Sequence, residues 1–484
     1  MSDLKEIGVT ISKDKDFSEW YTQVVTKAGL IDYSPVKGFI ILKPYGYKIW
    51  ENIKEILDKK LKSSDHENAF LPILIPESLL SREKAHFSGF TPEVFWVTRA
   101  GDNKLADNLA VRPTSETLAY SIFSKWIMSY RDLPLKLNFW NSALRAEIKS
   151  TKPFIRNSEF LWQEGHTVHE TDKEAEDEVL LILQYYQDLI ENYLAIPTIK
   201  GFKSEKEKFV GALYTTTLES IMPDGKALQM ATSHNLGQNF SKPFEIRFLG
   251  KDSKQYFAWQ TSWGASWRLI GALIMVHGDD KGLILPPNIA PIQIVIVPIF
   301  KNKDRNIVLD ESQRLKRELG VGGLRVHLDD REEYTSGWKF NDWEVKGIPL
   351  RINLGLRDIN EKKLELVRRD TKEKMFINKN QNFLESIKTI LNDIQNSMLE
   401  KASRFHDRSI IRVYDYEEMR RKLKENSGFI LTSWCGNIEC ELDVKNQTGA
   451  DIRVIPFGPE RSERDYCIKC KKSSKYNVIF AKAY

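Results

Sequence analysis

The chain has 484 residues, 41% of them hydrophobic and 29% charged, with a net charge of +5 and four cysteines. That length supports two to four domains and at least one large core. No apolar run approaches the roughly eighteen residues of a spanning helix, and the start, MSDLKEIGVTISKDKDFSEW, is too polar for a secretory leader, so a cytoplasmic location without membrane contact is predicted. The positive excess is weak evidence for an anionic partner, because metal-bound thiolates beyond residue 400 would cancel part of it.

A short amphipathic helix is predicted near 16–29, then a strand at 38–43 and a helix at 46–62 whose Ile49, Ile53, Ile56, Leu57 and Leu61 form one apolar stripe. The run 69–76 carries Pro72 and Pro76; proline removes a ladder donor, so an edge or interface strand is expected. Segment 112-RPTSET-117 reads as a turn that sets Thr114 beside Glu116. Strands are read at 137–147 and 159–169 with a polar, proline-bearing loop between them. Thr171 to Glu174 has the capping-box pattern that opens a long helix with Val179, Leu183, Tyr186 and Ile190 inward. Strands around 209–249 follow, and then Gly264, Ala265 and Ser266 permit close backbone approach ahead of an apolar helix starting near Arg268. From about 292, apolar strands (292–300, 324–328, 348–355) alternate with helices (306–320, 337–347), the pattern of a small three-layer α/β domain. A helix at 381–402 links it to a last domain that holds every cysteine.

Cys435 and Cys440 are spaced C-x4-C, Cys467 and Cys470 C-x2-C, as in two short hairpins whose tips close on one tetrahedral ion. Zinc suits four thiolates, and four protein ligands leave no open position, so the ion would staple the fold. Two disulfides or four unrelated buried thiols are the alternatives. Arg145 and Glu147 lie two apart in an extended segment and should share a face; Arg156 leaves the following loop, and Arg268 adds its charge to a helix N-terminus. Such guanidinium forks suit a triphosphate, the alternative being arginines that balance surface carboxylates. Glu116 could receive an ammonium. Trp162, Glu164 and His166 alternate along one strand face, although Trp162 could be core and His166 a hydrogen-bonded strand histidine. The chain has neither a G-x-x-x-x-G-K-[ST] loop nor a G-x-G-x-x-G after a strand, so any ATP should lie on an antiparallel sheet with arginines.

The helix at 46–62 with the strand reaching Pro72, 144-LRAE-147 through 159-EF-160, and 262-SWGASWRLIGALI-274 resemble motifs 1, 2 and 3 of class II aminoacyl-tRNA synthetases. The stretches 112-RPTSE-116, 161-LWQEGHT-167, 229-QMATSH-234, 276-VHGDDKGLILPP-287 and 336-SGWKFNDWEVKGIPLRI-352 resemble the prolyl enzymes of archaeal and eukaryotic type, over essentially the whole chain. The resemblance implies an α+β fold: a catalytic domain on an antiparallel sheet at 1–290, an α/β anticodon-binding domain with its linking helix at 291–400, and a small α+β zinc-binding domain at 401–484. It implies ATP-dependent conversion of L-proline to prolyl-adenylate and transfer to the 3′ end of tRNA(Pro), by a homodimer joined through the motif 1 region.

By motif, Arg145 would grip the α-phosphate and Glu147 orient the adenine end, with Arg156 and Arg268 on the outer phosphates and Phe160 against the base. Gln229 and Gln260 would be ribose or magnesium-side contacts. Thr114 and Glu116 would meet the imino group, and Trp162, Glu164, His166, Ser233 and His234 would line the proline pocket. Trp338, Lys339, Phe340 and Arg351, with Trp343, would meet the anticodon, though Trp343 could be core. Mg2+ would enter with ATP, one structural Zn2+ would bind per chain, and the terminal Tyr484 would run back toward the catalytic domain. The stretch from Arg156 to Ser262 leaves no room for the large hydrolytic insert of bacterial-type relatives, so no editing domain is predicted. Alanine and cysteine would then be rejected only by the ~1–3 kcal/mol a missing methylene is worth. A regulator that senses uncharged tRNA and a zinc-stapled RNA-binding protein are the alternatives; the presence of all three arginines favours an enzyme.

Overall fold

The computed structural model describes residues 8–86, 93–146, 151–425, 428–458 and 466–484. Helix α1 (Phe17–Lys27) starts where the Asp16 carboxylate accepts from the Ser18 and Glu19 amides. Helix α2 (Pro44–Lys62) begins two residues before the predicted start because proline suits a first helical turn, and Ile49, Ile53, Leu57 and Leu61 are buried as the stripe requires. Helix α3 (Glu116–Trp126) precedes the antiparallel pair β1 (Leu135–Leu144) and β2 (Glu159–His169). Helix α4 (Asp172–Asp188) opens on the capping box between Thr171 and Glu174. Strands β3 (Ile199–Phe202), β4 (Tyr214–Ile221), β5 (Ala227–Gly237) and β6 (Trp259–Ser266) then lead into α5 (Arg268–His277). Among the described residues no separate domain lies between β2 and β6. The prolines at 72 and 76 act as expected: only Leu74–Pro76 is a strand, at the edge of a three-stranded sheet.

The α/β domain has β7 (Ile294–Ile299), α6 (Arg305–Val321), β8 (Val326–Leu328), α7 (Ser336–Val345) and β9 (Leu350–Gly355). Its sheet is completed by β10 (Lys363–Arg368) and β11 (Lys374–Asn378), in the order β8-β7-β9-β10-β11. These last two antiparallel strands were not expected from the sequence; their alternating polar residues lack the fully apolar look of β7. Helix α8 (Phe383–Arg408) runs past its predicted end.

The C-terminal residues form β12 (Ile410–Arg412), α9 (Tyr416–Lys424), β13 (Phe429–Trp434), α10 (Ile438–Thr448), β14 (Asp451–Pro456) and β15 (Tyr476–Ala481). They continue the sheet of β1–β6, whose order is β12-β13-β15-β14-β3-β4-β5-β6-β2-β1 with Glu67–Asn68 beyond β1. The seam is β14 on β3, where Ile455 pairs with Phe202 and Pro456 with Gly201. A Cβ on Gly201 would lie 2.1 Å from the Ile455 carbonyl oxygen, so only glycine lets the strands approach.

One face of the sheet packs on α1, α2, α4 and α5 through Trp20, Ile53, Tyr186, Leu273 and Trp263. Gln163 of β2 meets the Tyr186 hydroxyl on that side at 2.5 Å, so its neighbours Trp162 and Glu164 must face the other way. Among the described residues no helix is long and apolar enough to cross a membrane.

Candidate active site

A cavity of about 660 Å³ lies over β2, β4, β5 and β6, bordered by the start of α3 and the segment that joins β1 to β2. One part of it is acidic. Thr114 Oγ1 donates to Glu116, and Ser115 donates to Glu164 through its hydroxyl and, at 3.2 Å, its amide. Asn141 Nδ2 donates to Glu164 at 2.9 Å; His166 Nε2 lies 3.4 Å from Glu164, and its Nδ1 meets the Tyr120 hydroxyl at 3.1 Å. Burial pushes the Glu116 carboxyl up. Burial also opposes ionisation of Glu164, yet hydrogen bonds from His166, Ser115 and Asn141 hold it below the usual range. His166 is raised despite burial by Glu164 and Glu116. Two buried carboxylates facing one imidazole leave a place for a small organic cation. The wall is aromatic: Trp162 and His234 line the cavity, and Phe209 lies 4.7 Å from the His234 ring. Burial, then the charges of His166 and Lys203, pull His234 down to about 3, so it stays neutral.

The other part is cationic. The Arg145 guanidinium lies over Phe160 at 5.2 Å, and Phe160 meets Trp162 edge-on at 5.8 Å, which joins the two parts. Arg268 donates to the Gln229 carbonyl at 3.4 Å, and its Nε has no protein partner. Burial, then the charge of Arg145, pulls it down to about 10. Arg156 is exposed on the same rim. Among the described residues none of the three forms an ion pair with a carboxylate, and all three line the cavity. Unpaired guanidiniums at one cavity suit a polyanion.

Thr114, Glu116, Arg145, Arg156, Phe160, Trp162, Glu164, Gln229, His234 and Arg268 therefore converge on one cavity. Three expected residues do not line it. His166 is fully buried behind Glu164; Ser233 points to the opposite side of β5 from His234, as strand neighbours must; Gln260 is buried with both amide atoms unpartnered. Glu147 lies outside the described residues. Lys203, Glu207, Phe209, Thr215 and Thr232 line the cavity without having been expected, and only Thr232, two residues from His234 on β5, carried a readable signal. Tyr484 also lines it, donating to Asp224 at 2.6 Å.

In the α/β domain, Arg351 lies over Phe340 at 3.9 Å beside a cavity of about 290 Å³ that Arg368, Arg369 and Lys372 also line. Trp338 stacks on Tyr334 at 3.8 Å. Lys339 departs from the expected basic surface: it is buried, with its ammonium on the Asp329 carbonyl at 3.1 Å. Trp343 is core, its indole donating to the Asp329 carboxylate at 2.7 Å.

The four cysteines are free thiols whose sulfurs all lie within 4.8 Å of one another. Cys440 sits in the first turn of α10, so the first pair spans a strand-to-helix turn rather than the expected hairpin; Cys467 and Cys470 lie in a turn closed by a bridge between Tyr466 and Ser473. Cys435 is 3.7 Å from both Cys440 and Cys470. Tetrahedral zinc with bonds of about 2.3 Å sets its sulfurs about 3.8 Å apart, so the donor set fits a structural zinc site and not a disulfide.

Residues 95–277 match the family described as tRNA synthetase class II core domain (G, H, P, S and T), 293–390 the anticodon binding domain, and 416–484 the prolyl-tRNA synthetase C-terminal family. A proline–tRNA ligase of Cenarchaeum symbiosum is 56% identical over 99% of this chain and 100% of its own length. One from Natranaerobius thermophilus is 51% identical over 98% and 97%. The crystal structure of prolyl-tRNA synthetase from Cryptosporidium parvum, complexed with halofuginone and AMPPNP, superposes with a TM-score of 0.93 at 42% identity, covering 99% of this chain and 100% of that one. The chain belongs to the prolyl-tRNA synthetases of class II, the proline–tRNA ligases.

Proposed function

We propose that the cavity divides the work of an ATP-dependent proline–tRNA ligase between its acidic and cationic parts. The carrying observation is one continuous cavity with three arginines, none in an ion pair among the described residues, joined through Phe160 and Trp162 to the pair Glu116 and Glu164. Proline binds with its iminium on Glu116 and Thr114 and its ring against Trp162 and His234, while Glu164, oriented by His166 and Ser115, fixes the shape of the pocket. Arg145 holds the α-phosphate, Arg156 and Arg268 the outer phosphates, Phe160 the adenine and Gln229 the ribose side. The proline carboxylate oxygen bonds to the α-phosphorus as the bond to the β-phosphate bridging oxygen breaks, releasing pyrophosphate. A terminal ribose hydroxyl of tRNA(Pro) then displaces AMP from the activated carbonyl. In the first step the carboxylate arrives ionised, so adenylate formation needs no protein base or covalent nucleophile. In the second the proton of the attacking hydroxyl passes to a phosphate oxygen of the departing AMP, and rate comes from placement and charge. Mg2+ would enter with the nucleotide and offset charge on its phosphates.

Several finer assignments belong to the same reading. The domains are 1–290, 291–400 and 401–484, and the archaeal and eukaryotic type is favoured by the four-cysteine domain at the C-terminus. A cytoplasmic location and a homodimer through the motif 1 region belong to the same reading; the dimer is supported by the exposed apolar side chains that follow α2 in sequence, Phe70 (81% exposed), Ile73 and Leu74. Trp338, Phe340 and Arg351 contact the anticodon, whose unstacked bases suit exposed rings and guanidinium planes. A tRNA(Pro) carrying a foreign anticodon should be charged poorly, and unchanged charging would remove the α/β domain from recognition.

Proline-dependent ATP–pyrophosphate exchange tests the central assignment. Glu116→Gln removes a charge-assisted contact and should raise the proline KM about 10–100-fold with little change in the ATP KM. Equal losses for both substrates would move Glu116 out of the amino-acid site. The iminium needs ionised Glu116, whose carboxyl is raised by burial. In the native chain the proline KM should therefore climb as pH falls through that raised value, and in E116Q this climb should be absent.

A further inference from the structure

The turn at 203–209 lines the active cavity with Lys203, Glu207 and Phe209, yet it contains no helix or strand. Its backbone is closed by the Glu207 and Lys208 amides on the Ser204 carbonyl, at 3.1 and 2.9 Å, and is tied to β4 by the Lys203 amide on the Thr215 carbonyl at 2.9 Å. The C-terminal domain supplies further support. The Ser204 hydroxyl donates to Glu441 Oε1 at 2.7 Å, with both residues buried. Lys203 donates to Glu219 at 2.6 Å and to the Arg453 carbonyl at 2.9 Å. The Arg453 guanidinium meets Glu219 at 3.2 Å and approaches Glu207 at 3.8 Å, while Lys206 reaches Asp451 at 3.0 Å.

At the far end of the turn, the Phe209 amide donates to Thr215 Oγ1 at 2.9 Å, and Thr215 Oγ1 meets His234 Nδ1 at 2.9 Å. The Phe209 ring lies 4.7 Å from His234. A chain of contacts thus runs from the buried Glu441 and Arg453, through the half-buried turn, to the aromatic wall of the cavity. Glu441 directly follows Cys440, so the chain begins at the metal site.

We propose that Glu441 and Arg453 are positioning residues for proline: they hold the turn at 203–209, and through it the Phe209–His234 wall, in the binding geometry. The step rests on the proline subsite assigned above. Affinity for the amino acid is then set partly from a domain that contacts neither substrate through these two residues.

The test uses the full, zinc-loaded chain. Glu441→Ala removes the acceptor for Ser204, whereas Glu441→Gln keeps a carbonyl oxygen in its place. Arg453→Met leaves Lys203 and Glu219 as a neutral pair, so it provides a second variant should E441A fold poorly. E441A and R453M should each raise the proline KM about tenfold with kcat and the ATP KM held within about twofold. Amide hydrogen exchange at Glu207 and Lys208 should quicken in both, zinc content should stay at one per chain, and E441Q should restore the native values. Unchanged exchange at the turn would overturn the clamp itself. Faster exchange with an unchanged proline KM would overturn the positioning role. Faster exchange with a raised ATP KM instead would overturn the subsite assignment on which the step rests.

Discussion

Arg145→Ala is expected to lower kcat for proline-dependent pyrophosphate exchange by about 10²–10³-fold, with a much smaller change in the ATP KM. The direction follows from what Arg145 touches. Its Nε lies 3.5 Å from the Pro113 carbonyl and its guanidinium covers Phe160, but among the described residues it has no carboxylate partner. Truncation therefore strands no buried acid, and the fold should survive, along with tRNA binding by the distant α/β domain. The fork is left free to meet charge that grows on the phosphate as pyrophosphate departs, an interaction stronger in the transition state than in bound ATP. Arg145→Lys should remain at least tenfold impaired, because an ammonium cannot reproduce two parallel N–H donors. Arg268→Ala should lose activity in the same way while its melting temperature holds or rises. Arg268 is a desolvated cation without a carboxylate partner among the described residues, so it costs stability in the absence of substrate. Normal exchange in R145A would sink the phosphate assignment.

The parts legible in the sequence were those where chemistry restricts residue type. Arginines of a kind that suits phosphates and a carboxylate beside a threonine of a kind that suits an iminium each stand out in the sequence, and Arg145, Arg156, Arg268, Thr114 and Glu116 do line one cavity. Strand periodicity then placed Trp162 and Glu164 on one face correctly, because alternation is a property of the backbone alone. Depth is not such a property. His166 shares that face but lies behind Glu164, which it orients. Ser233 and His234 were grouped because they share a motif, although alternation along a strand already forbade both from facing the cavity.

What escaped the sequence was tertiary partnership across long chain separations. Lys339 looked like one member of a basic surface, and only the fold brings the Asp329 carbonyl to its ammonium. Lys203 and Glu219 sit in strand-rich stretches with no motif, and their meaning depends on Arg453 arriving from the other end of the chain. The C-terminal domain read as a separate unit because its cysteines form a self-contained signature. Its strands nevertheless extend the catalytic sheet through the seam of β14 on β3, and no local pattern at 199–202 announces a partner some 250 residues away.

That continuity shapes the consequence of losing the metal. Cys435→Ser or Cys467→Ser should release zinc and cost more than the ~5 kcal/mol that holds a small domain folded, since the unfolded chain offers no preformed thiolate site. The sulfurs are set for a tetrahedral ion, and without it four buried or half-buried thiols face one another with only weak S–H contacts. Unfolding should start around Cys440 and Cys467, which sit in the same cluster as Trp434, Ile452 and Phe480. It should then reach Ile199–Phe202, whose outer strand partner is β14, and release Tyr484 from Asp224, while β1, β2 and β6 at the other end of the sheet keep their protection. Hydrogen exchange read along the sheet should show this gradient, steepest in residues 429–481 and fading toward β2. Elemental analysis of the native chain should find one zinc per chain without ATP present. A metal-free chain with full thermal stability would refute the structural role, and a cysteine variant whose exchange quickened equally in β2 and β15 would show that the sheet melts as one unit instead of from its C-terminal end.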